Sequence, residues 1–115
     1  MILFISSHPP FAKQQNKELL DMVLAAGAFD LNCALLIQGD AVLQLRAQNS
    51  KLIEQKDINK SLSALPLYGI ETIYVFEQDL AKFQIGLDEI NLDIKVLPND
   101  KKAILLQTAS KVIRL

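Results

Sequence analysis

Five short apolar runs, separated by turns and by segments with helical periodicity, constrain the fold of this chain more than any other feature. Runs of four or five residues that are mostly apolar or β-branched are typical of strands in a sheet that is covered on both faces. Residues 72–76 are the most β-prone of the five runs, and we expect them to form the central strand. The predicted strands are residues 2–6, 33–37, 72–76, 94–97 and 111–115.

The connection between the first two strands has the period of an amphipathic helix. Its apolar side chains recur three and four residues apart, which predicts one helix over about residues 14–28. Strand, helix and strand together then have the size of a right-handed βαβ unit. We expect the helix to bury Leu19, Met22, Val23 and Ala26, and the small residues of its last turn to approach the sheet closely.

The second connection is predicted to contain a helical turn, a polar loop and a helix. Asp40 can cap a short helical segment at residues 41–45 by accepting hydrogen bonds from its first amides. Residues 46–56 are rich in polar side chains, which indicates a solvated surface loop. Asp57 can cap the helix that follows, and Pro66 is expected to stop that helix because proline has no amide hydrogen.

The last part of the chain adds two helices and completes the predicted topology. A short helix is expected at about residues 78–84, and Asn99 can cap a final helix that buries Ile104 and Leu105 with Ala103. The order β-α-β-α-β-α-β-α-β indicates an α/β fold in which a mostly parallel five-stranded sheet has helices on both faces. Residues 1–115 are therefore expected to form one domain with three layers, α/β/α.

Composition excludes several classes of protein. The chain has 115 residues and a net charge of −1, which predicts a single domain and argues against autonomous binding of nucleic acid. One cysteine cannot form a disulfide within the chain, and no run is long enough to span a membrane, so we expect a cytoplasmic protein. Half of the residues are hydrophobic, which in so small a domain predicts that a partner covers part of the surface.

Side chains with reactive chemistry are scarce. His8 is the only histidine, and it follows the first strand, where α/β folds place ligand sites. Its loop contains no glycine that would let a phosphate approach the backbone, and no second histidine or nucleophile pair accompanies it. An exposed loop histidine is therefore the simpler interpretation, and we predict no catalytic, cofactor-binding or metal-binding residue.

Cys33 is the second candidate for chemistry. It begins an apolar run, so we expect it to be buried, with a raised thiol pKa and a role in packing. A sulfurtransferase that acts through Cys33 remains an alternative hypothesis at this stage. Tyr68 and Tyr74 are interpreted as core or interface residues.

Two motifs of the sequence occur together with the segments 2–7, 18–29 and 112–115, and the order and spacing of these stretches match those of a known family. The motifs are Gly39-Asp40-Ala41-Val42 and Leu67-Tyr68-Gly69-Ile70-Glu71. Together these stretches resemble the TusC/DsrF-type subunits of the DsrE-like sulfur-relay family over nearly the whole chain. The resemblance implies a DsrE/F-like fold and membership of a bacterial complex that passes persulfide sulfur towards the 2-thio group of the tRNA wobble uridine.

The resemblance also implies a role within that complex. The carrier cysteine of the D-type subunit ends the third strand, where this chain has Val75 and Phe76, and Cys33 does not match that position. The chain would then be a noncatalytic subunit without a cofactor, in a heterohexamer with two copies each of TusB-like, TusC-like and TusD-like subunits. Sulfur-carrier proteins would be met through the complex, with no direct contact to nucleic acid or to a membrane.

Two alternative functions stay open on the sequence alone. One is a DsrF-like subunit in dissimilatory sulfur oxidation. The other is a stand-alone homo-oligomer that binds a small ligand at the strand-end loops near His8, Gly39 and Asp40.

Overall fold

Five parallel strands form the one sheet found in the part of the chain that the structure, a computed structural model, describes: residues 1–46, 62–90 and 92–115. The strands lie in the order β4-β3-β2-β1-β5, and all four neighbouring pairs are parallel. The predicted five-stranded sheet is thus confirmed, and it is parallel throughout. The strands are β1 (Ile2–Ser6), β2 (Cys33–Ile37), β3 (Ile73–Phe76), β4 (Lys95–Leu97) and β5 (Lys111–Arg114).

Helices and 3₁₀ turns connect the strands. Helix α1 (Lys13–Ala28) joins β1 to β2, α2 (Glu77–Lys82) follows β3, and α3 (Lys102–Thr108) leads to β5. The helices predicted near 14–28 and 78–84 are confirmed. Most of the predicted loop at 46–56, and the first part of the helix predicted after Asp57, lie outside the described residues. The 3₁₀ turns are Gly39–Leu45, Leu65–Tyr68, Leu87–Glu89 and Asn99–Lys101.

The two faces of the sheet are covered unequally. The connections that leave β1, β2 and β3 all step in one direction across the sheet, so right-handed crossovers place them on one face, which we call the first face. The connection from β4 runs back across the sheet to β5, and its helix α3 covers the other face, the second face. Apolar side chains on the first face include Phe4, Leu35, Ile37 and Val75, and those on the second face include Leu3, Ile5, Leu36 and Phe76.

The predicted position of β3 in the sheet was wrong. The middle strand is β2, and β3 lies between β2 and the edge strand β4. The β-branched and aromatic residues of β3 favour an extended backbone, but they do not determine which strands become neighbours. β2 is the middle strand because the first four strands lie side by side in chain order and β5 pairs with the free side of β1.

Three residues predicted to be buried are exposed, among them Ala103 on α3. Met22 on α1 is 38% exposed, whereas Leu19 and Val23 pack into the core as expected. Ile104 on α3 is 55% exposed, because this helix contacts the sheet through Leu105 and Leu106. Each helix therefore buries a narrower stripe than its apolar pattern predicts.

The predicted caps were also wrong. Neither Asp40 nor Asn99 makes a capping hydrogen bond through its side chain; Asn99 instead opens a 3₁₀ turn ahead of α3. The helical residues described before Pro66 end at Ser63, so the helix does end ahead of the proline as predicted, and Pro66 lies in the first turn of the 3₁₀ segment Leu65–Tyr68. Proline suits that position because its fixed φ is helical and the first amides of a helix have no partner to lose.

Candidate functional site

The carboxyl ends of β1, β2 and β3 meet at one edge of the sheet, which is where parallel α/β folds place ligand sites. Three segments follow these strands: residues 6–10 after β1, residues 38–40 after β2 and α2 after β3. The candidate residues His8, Gly39 and Asp40 all lie on these segments. We call this side of the sheet the carboxyl edge.

The segments after β1 and β2 are held together by hydrogen bonds. The amide of Gln38 donates to the Ser6 carbonyl oxygen at 3.0 Å, and its side-chain Nε2 donates to Ser7 Oγ at 3.2 Å. Gly39 has a φ of +58°, a left-handed conformation that glycine adopts without steric cost. The Gly39 amide donates to Asp79 Oδ2 at 3.0 Å, which ties this turn to α2.

A buried carboxamide, Gln44, links the carboxyl edge to α1. Its Nε2 lies 3.3 Å from Ser6 Oγ, 3.1 Å from the His8 carbonyl oxygen and 3.4 Å from Asn16 Oδ1. Asn16 in turn donates from Nδ2 to the Pro9 carbonyl oxygen at 2.9 Å. Buried polar groups must find partners to avoid a desolvation cost, and here they find one another. The network therefore fixes the loop after β1 against the core.

The His8 ring contacts the backbone. Its Nε2 lies 2.7 Å from the Leu115 backbone oxygen, on the neighbouring strand-end of β5. The structure thus places His8 and Gly39 at one edge, joined through Gln38 and Gln44, while the Asp40 side chain is exposed. A histidine whose ring nitrogen contacts a backbone oxygen helps to position the loop that carries it.

A cavity of about 460 Å³ lies between α1 and β2 on the first face of the sheet. Its walls are mostly leucine, isoleucine and valine, and one end carries the polar side chains of Ser6, Asn16 and Gln44. The charged residues Lys13, Lys17 and Asp21 also line the cavity. Within the ranges the structure describes, no group of three or more His, Cys, Asp or Glu is placed to hold a metal ion.

The end of β3 offers no reactive group. Val75 is fully buried and Phe76 is 2% exposed, and the exposed Glu77 then begins α2. Cys33 begins β2 at the opposite edge of the sheet, and Ile37, four residues further along β2, is the residue that pairs with Val75. At about 3.3 Å per residue, the thiol lies roughly 13 Å along the strand direction from the end of β3.

Burial makes Cys33 unreactive. The residue is buried in the core cluster of the first face, and this burial raises the pKa of its thiol above the ordinary value of 9.0. The positive charge of the Met1 amino group lowers the pKa of the thiol, and this effect is weaker than that of burial. Because the thiolate is the nucleophilic form, a raised pKa disfavours sulfur chemistry at this residue. The expected packing role of Cys33 agrees with its position.

Sequence reasoning missed Asn16 and Gln44. The sequence could have indicated Gln44, because it is a polar residue inside the apolar run 41–45 and such a residue needs a buried hydrogen-bond partner. The sequence could not have indicated Asn16, because it lies among other polar residues of α1. In the described part of the chain, no helix is both long enough and apolar enough to cross a membrane.

Comparisons with known proteins agree on one family. The model of the DsrE/DsrF-like family matches residues 1–115. A protein from Pseudomonas aeruginosa named Protein TusC homolog is 34% identical over 115 residues, covering 99% of this chain and 97% of that protein. The Protein TusC homolog of Pasteurella multocida is 28% identical and covers 97% of each chain. The crystal structure of the ychN protein from E. coli has the same fold, with a TM-score of 0.76 at 15% identity over 99% of this chain and 97% of that one.

Proposed function

Because the chain belongs to the DsrE/DsrF-like family, we propose that it is a subunit of a sulfur-relay complex that delivers persulfide sulfur for 2-thiolation of the tRNA wobble uridine. Its similarity to proteins named TusC homologs, at up to 34% identity over nearly the full length, supports this function. The two alternatives, a subunit for dissimilatory sulfur oxidation and a stand-alone ligand-binding protein, are not favoured by these relatives.

Within that complex the chain assembles the relay without carrying sulfur. The observation that supports this role is the end of β3, where Val75 and Phe76 are buried and the single cysteine of the chain lies elsewhere. A persulfide carrier needs an accessible thiol of low pKa, and Cys33 is buried with a raised pKa. The carboxyl edge is occupied by hydrogen bonds among its own residues, which suits a scaffold.

The partners follow from the same proposal. We infer TusB-like and TusD-like subunits, two copies of each in a heterohexamer with this chain, in the bacterial cytoplasm. Residues 1–115 act as one domain in that assembly. No cofactor or metal is required of this chain, and sulfur-carrier proteins are met through the complex.

A reconstitution experiment tests the function and the role separately. The chain is co-expressed with the TusB-like and TusD-like proteins of the same bacterium, and the 2-thiouridine content of tRNA is measured by mass spectrometry in a strain that lacks the native complex. We expect one complex that contains all three chains, with 2-thiouridine restored by the wild type and equally by Cys33→Ser. The matched control is the cysteine-to-serine variant of the TusD-like carrier, which should abolish 2-thiouridine.

Two results would contradict the proposal. If this chain purifies separately from the other two, the subunit assignment is wrong. If Cys33→Ser forms the complex but loses 2-thiouridine, the chain carries sulfur itself and the noncatalytic role is wrong.

A further inference from the structure

The cavity between α1 and β2 has the size and the lining of a small-molecule site. Its volume of about 460 Å³ lies within the range of roughly 300–1,000 Å³ that is usual for ligand pockets. The cavity extends along α1 from Asn16, near the carboxyl edge, to Leu24, which lies towards the amino edge, the edge at which the strands begin. Ligand pockets combine apolar walls with a few polar groups that orient the ligand, and this cavity has both.

Two buried side chains at the polar end of the cavity keep hydrogen atoms that their own network does not use. Ser6 is 6% exposed and Asn16 is 9% exposed, and both line the cavity. Ser6 Oγ accepts from Gln44 Nε2, so its hydroxyl hydrogen remains free to donate. Asn16 Nδ2 gives one of its two hydrogens to the Pro9 carbonyl oxygen. Within the described residues these two remaining hydrogens meet no acceptor, and a ligand oxygen would supply one.

The two donors are close enough to bind one head group. Ser6 Oγ and Asn16 Oδ1 lie 3.3 Å and 3.4 Å from the same atom, Gln44 Nε2. A carboxylate presents two acceptor oxygens on one carbon, which suits two neighbouring donors. Hydrogen bonds to an ionised acceptor are also stronger than those to a neutral one.

The charges around this end favour a negative head group. Lys13 and Lys17 line the cavity on the first two turns of α1, whereas the acidic Asp21 lies a turn further along the helix. The first turn of α1 carries no acidic residue, and the positive end of the helix dipole lies there. A carboxylate at Ser6 and Asn16 is therefore attracted, and a cationic head group would be repelled.

The remainder of the cavity suits an unbranched apolar tail. Leu20 and Leu24 of α1, Leu35 of β2 and Leu62 line it. The helix from Asn16 to Leu24 is about 12 Å long, at the usual rise of an α-helix. An extended chain advances about 1.2 Å per bond, so a tail of about eight to ten carbons fits this length.

We propose that this cavity binds a medium-chain carboxylate, with its head at the carboxyl edge and its tail along α1. The head accepts hydrogen bonds from Ser6 Oγ and Asn16 Nδ2 near Lys17, and the tail contacts Leu20 and Leu24. Binding requires this chain alone and no sulfur transfer. A failure to bind would therefore leave the proposed relay function unaffected.

Three small molecules test the two parts of the ligand by isothermal titration calorimetry on the isolated full chain. Octanoate carries both parts, 1-octanol carries the tail without the charge, and acetate carries the head without the tail. We expect one octanoate per chain, 1-octanol to bind about tenfold or more weakly because charge-assisted hydrogen bonds are lost, and acetate to show no binding. If 1-octanol binds as tightly as octanoate, the polar end does not select an anion and the proposal is wrong.

Two variants with matched controls test the location of the site. Leu20→Trp fills the cavity and should weaken octanoate binding about tenfold or more, whereas Met22→Trp, on the same helix but outside the lining, should not. Lys17→Glu reverses an exposed charge at the polar end and should weaken binding about fivefold, whereas Lys102→Glu on α3 should not. Circular dichroism checks that each variant is folded. Lys17→Glu, an exposed position, keeps the test decisive if Leu20→Trp does not fold.

Two further results would overturn the proposal. If octanoate does not bind to the wild type at millimolar concentration, the cavity is filled from within the chain and takes no ligand. If octanoate binds to a folded Leu20→Trp or to Lys17→Glu as it binds to the wild type, the ligand lies elsewhere on the protein.

Discussion

The two edges of the sheet differ in what their side chains do. At the carboxyl edge, Gln38 donates a hydrogen bond to Ser7, and Gln44 donates one to the His8 carbonyl oxygen. The His8 ring contacts a backbone oxygen. At the amino edge, large apolar side chains such as Phe29 and Leu67 are exposed to solvent. Parallel α/β proteins usually place their chemistry at the carboxyl edge. In this chain many polar groups of that edge bond to one another, and exposed apolar side chains occur at both edges, since Phe11, just after the loop that follows β1, is 81% exposed.

The amino edge depends on the absence of a side chain at Gly27, and Gly27→Ala tests this with the largest expected effect. The added Cβ would lie 2.2 Å from the Tyr68 carbonyl oxygen and 2.6 Å from Ile70 Cδ1, so backbone must move. We expect the free energy of unfolding to fall by about 3 kcal/mol or more, as for a severe case of overpacking. Urea denaturation followed by circular dichroism measures the change.

Gly39→Ala is the matched control for Gly27→Ala. A Cβ at Gly39 meets nothing within 4 Å, so only the strain of its φ of +58° remains, about 1 kcal/mol. If the two alanine variants lose equal stability, the contact between α1 and the Tyr68 turn is not a tight one.

The carboxyl edge depends on Gln44, and Gln44→Leu tests this with an intermediate effect. Leucine keeps most of the volume but leaves Ser6 Oγ, Asn16 Oδ1 and the His8 carbonyl oxygen without their donor. We expect a loss of about 1–3 kcal/mol in the free energy of unfolding, the cost of unsatisfied buried polar groups. The measurement is again urea denaturation.

Gln38→Leu is the control at the same edge. Gln38 is only half-buried and its side chain bonds Ser7 alone, so the loss should be about 1 kcal/mol or less. A Gln44→Leu variant no less stable than Gln38→Leu would show that the buried network does not hold the loop after β1.

Cys33 gives the smallest predicted effect, a pH dependence. Burial raises the pKa of its thiol, so the folded state favours the protonated form. Its contribution to stability is full below the ordinary pKa of 9.0 and is lost as the pH rises through the higher pKa of the folded state. Stability should therefore fall less steeply above pH 9.0 in Cys33→Ala than in the wild type, as measured by urea denaturation across that range. Parallel pH curves would mean that Cys33 is not desolvated.

The strands were predictable from the sequence, and their order was not. Continuous apolar runs such as residues 33–37 identify strands because both faces of a parallel sheet are covered. The central strand is β2 and not β3, because the direction of each crossover connection determines which strands become neighbours. The sequence also does not predict which side chains of α3 are buried. This helix contacts the second face of the sheet through Leu105 and Leu106, and Ile104 is exposed to solvent.

Composition predicts that the chain has no reactive site, and it does not predict how the carboxyl edge is held together. One histidine and one cysteine are too few to supply the paired side chains that most nucleophilic or metal-dependent chemistry needs. The Gln44 network joins three segments that are distant in sequence, β1, α1 and the 3₁₀ turn after β2. Such a network requires the fold to bring its members together, so local patterns indicate at most that Gln44 needs some partner.

The position of β1 between β2 and β5 has a consequence for the synthesis of the protein. Ile2 pairs with Cys33 early, but its other neighbour, Lys111, lies far along the chain and is synthesised much later. Until then one edge of β1 keeps unpaired amide and carbonyl groups beside apolar side chains, a template for pairing with another chain. A nascent chain that stalls just before residue 111 therefore already contains β1 to β4 but still has an aggregation-prone edge beside β1.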